Sequence, residues 1–329
     1  MKKVLISIGA TLVLLVTIFL MGNHYNFKEE QLTVQTSKNE LSVFLATPKQ
    51  KKIKGTVFFI HGDGAKNATQ DGGYKPIMET LAEKGYASVS WDKPGVGGSS
   101  GNWLKQSMEE RADEASEVID WMKKNKPELM NKVGLWGASQ AGWVIPKIDN
   151  NRQDISFSML VAPGVNWRTQ SEYFTVNQAK KEGKSNDEIK KIVKDFRKDS
   201  DLIVKNKNYQ TYQKAGGTSE MTDDRFEFVK KNMELDSSDD LRKMKGHVYL
   251  ILGEKDENVD SIATKKAYEE NISSNLLQVK TIKNAEHRMI NPTIANSEAL
   301  TTLTAIMIPK YYLVSPEYLD YSANILNAE

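Results

Sequence analysis

The sequence predicts an α/β fold, with a mostly parallel eight-stranded sheet flanked by helices and a helical insertion. Two observations lead there. Continuous apolar runs at Thr56–Ile60, Val133–Trp136, Ile155–Val161 and His247–Leu252 have the length and the β-branched or aromatic content of strands buried on both faces, as in a parallel sheet. Stretches of helical periodicity lie between them, so the order runs strand, helix, strand, helix. Several of these runs stop at a loop rich in glycine or acidic residues, which collects the chemistry-bearing residue types at one sheet edge.

Taken in order, residues 1–22 open with Lys2 and Lys3 and continue without a charge from Val4 to Met21. This reads as a signal peptide or membrane anchor. The apolar run is long enough to span a bilayer, and Met21-Gly22-Asn23-His24 lacks an Ala-x-Ala cleavage signal, which favours an uncleaved anchor. The two lysines place the N-terminus on the cytoplasmic side, so the rest is expected to be exported to the extracellular face, anchored or secreted.

Leu32–Thr36 and Leu41–Ala46 alternate apolar and polar residues around Ser37-Lys38-Asn39-Glu40, predicting an antiparallel hairpin at a sheet edge. The lysine-rich stretch from Lys49 to Lys54 is a solvated turn. After a helix near Tyr74–Lys84 and a strand at Ala87–Trp91, residues Leu104, Met108, Ala112, Ala115, Val118, Ile119 and Met122 recur at helical spacing, predicting an amphipathic helix from Leu104 to Asn125. Gln140 to Asp149 is expected to be helical with a kink at Pro146. Residues 165–245 break the rhythm and read as a helical cap insertion, with Ser185 and Glu188 forming a capping box ahead of Ile189, Ile192, Val193 and Phe196. Its aromatics, among them Trp167, Tyr173, Tyr212 and Phe226, either line a pocket or pack the helices together. A helix at Ser261–Glu270, a strand at Leu277–Ile282 and a final helix opened by Ser315-Pro316 complete a core of residues 23–164 and 246–329.

Composition excludes several functions. Lys plus Arg total 45 against 43 Asp plus Glu, a near-balance that argues against a nucleic-acid partner. The absence of cysteine removes thiol nucleophiles, disulfides and thiolate metal sites. His24, His61, His247 and His287 are too scattered for a zinc cluster, so neither metal nor cofactor is expected.

The chemistry centres on Gly137-Ala138-Ser139-Gln140-Ala141-Gly142, read as a Gly-x-Ser-x-Gly nucleophile turn between strand and helix, with Ala141 departing from the pattern before Gly142. A serine nucleophile needs a base, an acid to orient it, and donors for the oxyanion. Candidates for all of these stand at the ends of strands, in the loops His61-Gly62-Asp63-Gly64, Gly253 to Val259 and Lys283 to His287.

With these motifs the chain from about Gln31 onward resembles the α/β-hydrolase superfamily, whose triads follow the order Ser, acid, His. The resemblance implies Ser139 as nucleophile, Asp256 as acid and His287 as base, with the amides of Gln140 and Asp63 as the oxyanion hole. Asp260 and Glu254 are alternative acids in the same region, and the resemblance has Asp92 bracing its own loop. It also implies the helical cap. The leading expectation is a serine esterase that cleaves a carboxylic ester through an acyl-enzyme. A serine peptidase of prolyl-oligopeptidase or aminopeptidase type is the alternative, followed by an acyltransferase or an inactive binding module. Expected partners are a small-molecule ester or short peptide and, through the N-terminal segment, a membrane.

Overall fold

The computed structural model describes residues 2–49 and 51–329, with the side chains of residues 2–6 outside that description. Met1, the side chains of Lys2 and Lys3, and Gln50 in the lysine-rich turn therefore lie outside the described residues.

Eight strands, β1 (Phe27–Gln35), β2 (Glu40–Pro48), β3 (Gly55–Ile60), β4 (Tyr86–Trp91), β5 (Val133–Ala138), β6 (Ile155–Val161), β7 (His247–Gly253) and β8 (Leu277–Ile282), form one sheet in the order β1-β2-β4-β3-β5-β6-β7-β8. The sheet is mixed. β2 pairs antiparallel with both β1 and β4, while every pairing from β4 through β3 to β8 is parallel. β3 and β4 are buried at every residue, as a strand covered on both faces must be. β1 begins at Phe27, ahead of the alternating stretch, because Lys28–Gln31 of this edge strand pair through their backbone and leave their side chains in solvent.

Among the described residues thirteen helices accompany the sheet: α1 (Lys2–Asn23), α2 (Lys75–Glu83), α3 (Met108–Asn125), α4 (Ile145–Asn151), α5 (Trp167–Lys181), α6 (Asn186–Lys205), α7 (Tyr209–Lys214), α8 (Asp223–Asn232), α9 (Ser238–Leu241), α10 (Ser261–Asn271), α11 (Glu298–Met307), α12 (Pro309–Tyr312) and α13 (Pro316–Ala328). The expected start of α3 at Leu104 is corrected to Met108. Ser107 and Glu110 form a capping box that fixes the helix start, and Trp103–Lys105 is a separate 3-10 turn. Pro146 does not kink a helix either. A short 3-10 turn over Ser139–Trp143 ends first, and Pro146 stands in the opening turn of α4, where its missing N–H has no partner to lose. α6 starts at the Ser185–Glu188 capping box as its pattern predicts.

Successive strand residues feed opposite sides of the sheet. Phe58 and Ile60 of β3 join Val118, Ile119 and Ile148 under α3 and α4, while Val57 and Phe59 join Met78, Leu81 and Leu326 under α2 and α13. Helices α5–α9 fill the interval between β6 and β7. Past β8, an antiparallel bridge between Ile290 and Val314 closes off an excursion that carries α11 and α12 around a small cluster of Ile290, Ile294 and Leu313. At the other end of the chain, α1 exposes Ile8 and most of Leu12–Met21. Among the described residues no helix is long and apolar enough to cross a membrane. The expected anchor also rests on residues 1–6, whose side chains fall outside them.

Candidate active site

Strand β3 neighbours both β4 and β5, so the loops that follow β3 and β5 leave the sheet in diverging directions and open a crevice at its C-terminal edge. Ser139 sits there. Its φ of +55° places a non-glycine residue in the left-handed region, a strained conformation that lifts the side chain out of the turn. The surroundings enforce it. A Cβ on Gly137 would lie 2.6 Å from the Ala141 Cβ and 2.7 Å from Ile145 Cδ1, and one on Gly142 would overlap the Gly164 carbonyl and sit 2.8 Å from Pro163. Gly164 N–H in turn donates to Ser139 O (3.0 Å). Strictly, Ala141 occupies the second glycine position of the Gly-x-Ser-x-Gly pattern, and its methyl is fully buried in the core beneath the turn.

His287 and Asp256 meet across two loops. His287 Nδ1–H donates to Asp256 Oδ2 at 2.8 Å, which leaves Nε2 as the acceptor end of the ring. Asp256 is buried, and its Oδ1 accepts the N–H groups of Asn258 (2.8 Å) and Val259 (2.9 Å). The other acids are engaged elsewhere: Asp260 caps α10, Glu254 accepts Asn284 N–H, and Asp92 accepts the Ala68 and Gly98 amides and so braces its own loop. Helix α5 holds the Asp256 loop through Tyr173 Oη to Asp256 O (3.1 Å) and Asn177 Nδ2 to Glu257 O (3.0 Å). Ser139 and His287 line one cavity of about 870 Å³, with no direct hydrogen bond between them among the described residues.

The loop after β3 is fixed from behind. His61 is buried, donating from Nε2 to Trp91 O (2.7 Å) with Tyr74 Oη against Nδ1 (3.3 Å). Burial, reinforced by Lys93, lowers its pKa to about 3, so it stays neutral. Lys93 Nζ donates to Gly62 O (2.6 Å) and Gly64 O (2.9 Å) and lies over the Trp103 ring. Arg111 reaches from α3 to His61 O and to Gln140 Oε1, both at 2.6 Å. Burial pushes the Lys93 ammonium well below its ordinary pKa and Arg111 down to about 10. The Asp63 carboxylate is taken by Arg225 of α8 at 2.9 and 2.8 Å and accepts from Gln140 Nε2 (3.2 Å). Burial opposes its ionisation, but the Arg225 pairing outweighs that and holds its pKa below the ordinary value.

The sequence places Ser139 with Gln140, Asp63, Asp256 and His287 on four separate loops, and the structure gathers all five around this crevice. It missed Lys93, Arg111 and Arg225. Arg111 carried a readable signal: it lies three residues from Met108 and four from Ala115, inside the apolar stripe of α3, where a charge must have a partner. The cavity wall decides between the two destinations open to the insertion's aromatics. Among the described residues none of 165–245 lines it; beside the strand-end loops the lining includes Asn23, Tyr25, Thr301, Ala305, Pro309 and Leu313. The insertion's aromatics pack the helices together, Trp167 stacking on Trp143 and Tyr212 on Tyr209 beside Phe226.

This strand order, with the Ser139 turn at the switch point of the sheet, defines an α/β-hydrolase, and the protein is a hydrolase of that class. The chain belongs to the family described as serine aminopeptidase, S33, which matches residues 51–293. Its fold is similar to that of an esterase from Pyrococcus furiosus (16% identity, 94% of this chain and 93% of that one, TM-score 0.57). It is also similar to Est1E from Butyrivibrio proteoclasticus with ferulic acid bound (16%, 91% and 100%, 0.56) and to proline iminopeptidase from Mycobacterium smegmatis (15%, 91% and 100%, 0.56). No curated protein matches the sequence.

Proposed function

We propose that the protein is a serine esterase in which Ser139 attacks an ester carbonyl, His287 takes and returns the proton, and Asp256 holds the imidazole in the required tautomer. The observation that carries this is Ser139 in its left-handed turn sharing a cavity with a histidine whose Nδ1–H is committed to a buried carboxylate. The attacked carbonyl becomes an oxyanion, the alcohol leaves with the proton from His287, and water then releases the acid. The amides of Gln140 and Asp63 serve as oxyanion donors. In a trans peptide the C=O and N–H point opposite ways, so Lys93 holding Gly62 O turns the Asp63 N–H away from the ammonium. Arg225 neutralises the Asp63 carboxylate, which would otherwise repel that oxyanion.

A peptidase reading has the family's description and the similarity to a proline iminopeptidase in its favour. An aminopeptidase must also hold a free ammonium, and the carboxylates lining this cavity are engaged, Asp63 by Arg225 and Asp71 by Asn67, beside Lys66 and Lys75. That favours a neutral ester. Helices α5–α9 act as a cap that steadies the Asp256 and Asp63 loops, and α1 anchors the protein at a membrane with the hydrolase outside, a reading that rests on the charge-free run Val4–Met21. The test is fluorophosphonate labelling with an acyl-ester and aminoacyl-amide panel. Labelling lost in Ser139→Ala and turnover confined to esters is the expected result. Labelling that persists in Ser139→Ala refutes the site, and preference for aminoacyl amides refutes the ester.

A further inference from the structure

One wall of the cavity that Ser139 lines has a second face. Helix α11 turns Thr301 and Ala305 to the cavity, while Leu300, Leu303 and Ile306, at spacings of three, stand half or more exposed on its outer side. Tyr311 and Tyr312 of α12 extend that exposed surface. A soluble domain rarely presents such a patch without a partner.

What meets it is indicated by α1. That helix leaves the body at this same corner: Gly22 packs so closely on the Met307–Ile308 backbone that a Cβ there would lie 2.6 Å from Ile308 Cα, and Asn23 Nδ2 donates to Ile306 O (3.0 Å). Lys310 of α12 donates to His24 O (3.0 Å) and pairs with Glu79, fixing the joint to α2. The exposed apolar run Leu12–Met21 therefore adjoins the outer face of α11, and a bilayer that takes up α1 lies against Leu303 and Ile306. Tyrosines on this rim suit the interfacial layer, where an apolar ring with a polar tip is most favourable. Asn23, the last residue of α1, and Tyr25 line the same cavity as Ser139, so the cavity reaches the joint at which α1 leaves the body.

We infer that α11 and α12, with the end of α1, form a membrane-seated mouth through which the active-site cavity draws its substrate from the bilayer, and that this substrate is a lipid acyl ester. The acyl chain enters past Ala305, Pro309 and Leu313 and extends over Ile77 and Met289, with the ester carbonyl at Ser139. Water supplies the hydroxyl of the released fatty acid and the proton of the released alcohol. This inference rests on the serine esterase reading above.

The experiment uses the full chain reconstituted in phosphatidylcholine–phosphatidylglycerol vesicles containing a long-chain diacylglycerol, with a water-soluble butyrate ester assayed in the same preparation. Leu303→Asp with Ile306→Asp, on the outer face only, is expected to lower diacylglycerol turnover at least tenfold and leave butyrate turnover within twofold. Equal diacylglycerol turnover in variant and wild type overturns the inference, as does a wild type that cleaves butyrate but no vesicle-borne ester. A wild type that cleaves neither and is not labelled by a fluorophosphonate fails the esterase reading itself. Should the double variant lose both activities through misfolding, the absence of native cysteine permits a second measurement: an environment-sensitive dye on Leu303→Cys, with Ile262→Cys of α10 as the reference position. Quenching by a quencher-bearing lipid at 303 and not at 262 supports the membrane-seated mouth. Equal quenching at both positions, or a self-associated protein with the 303 dye buried in the absence of lipid, overturns it.

Discussion

Replacing Asp256 by Asn separates the role of this carboxylate from its packing. Asp256 Oδ1 already accepts two backbone amides, from Asn258 and Val259, so an asparagine at this position keeps its carbonyl oxygen there and turns its NH2 group toward His287. A donor now faces Nδ1, which must become the acceptor. The ring proton moves to Nε2, the nitrogen required to take the proton of Ser139. Shape and two of the three hydrogen bonds survive, so folding stability is expected to stay within about 2 kcal/mol of wild type. Catalysis does not survive the wrong tautomer, and kcat is expected to fall ~10³–10⁴-fold, about 4–5 kcal/mol of barrier. Turnover of a soluble acyl ester, paired with urea denaturation of the same samples, reads both quantities. An Asp256→Asn enzyme within tenfold of wild type at neutral pH would refute the assignment of Asp256 as the orienting acid.

Lys93→Met removes the two donors that hold Gly62 O and Gly64 O, and frees the Asp63 peptide to rotate. Loss of one oxyanion donor predicts a fall of ~10² in kcat with KM nearly unchanged, whereas a purely structural lysine would shift stability and leave kcat alone. For Gly142→Ala, overlap with the Gly164 carbonyl and Pro163 predicts a destabilisation of ~1–3 kcal/mol in urea, and an equally stable variant would refute that packing argument. His61 gives a pH signature. Burial lowers its folded-state pKa to about 3 from an ordinary 6.5, so the unfolded chain takes up a proton that the fold refuses. Its contribution is intact above pH 6.5 and erodes at roughly 1 kcal/mol per pH unit as the pH falls toward 3. His61→Gln is expected to show a correspondingly flatter loss of stability over that window; an unchanged slope would exclude a neutral buried imidazole.

The parts of this molecule that were legible in the sequence share a local cause. β3, β6 and β7 are contiguous runs whose burial dictates their own composition, β8 is a half-exposed edge strand read from its alternation, and the Ser185 and Ser315 helix starts are written in one or two residues. Ser139, Asp256 and His287 could be singled out from sequence because each follows the end of a strand, and the loops after the strands of a parallel sheet lie at one edge. The cavity wall could not, because it is assembled from ends of the chain that no local pattern connects: Asn23 meets Ile306 through one hydrogen bond across nearly the whole sequence. For the same reason the sequence left the destination of the aromatics of residues 165–245 open between a pocket and helix packing, and the structure shows the packing. Their abundance indicated an apolar destination, and whether that is a pocket or a neighbouring helix depends on which way each helix is turned. Lys93 and Arg111 show the same gap between composition and placement. Two buried cations behind the Ser139 turn look unfavourable as a pair, and burial does depress both pKa values. What offsets the cost is a loop whose carbonyls point at them, from His61, Gly62 and Gly64. Those carbonyls can point inward only if the opposite ends of their peptides point outward, so the charges that appear to burden the core are what turn a glycine-containing loop into a set of aimed amides.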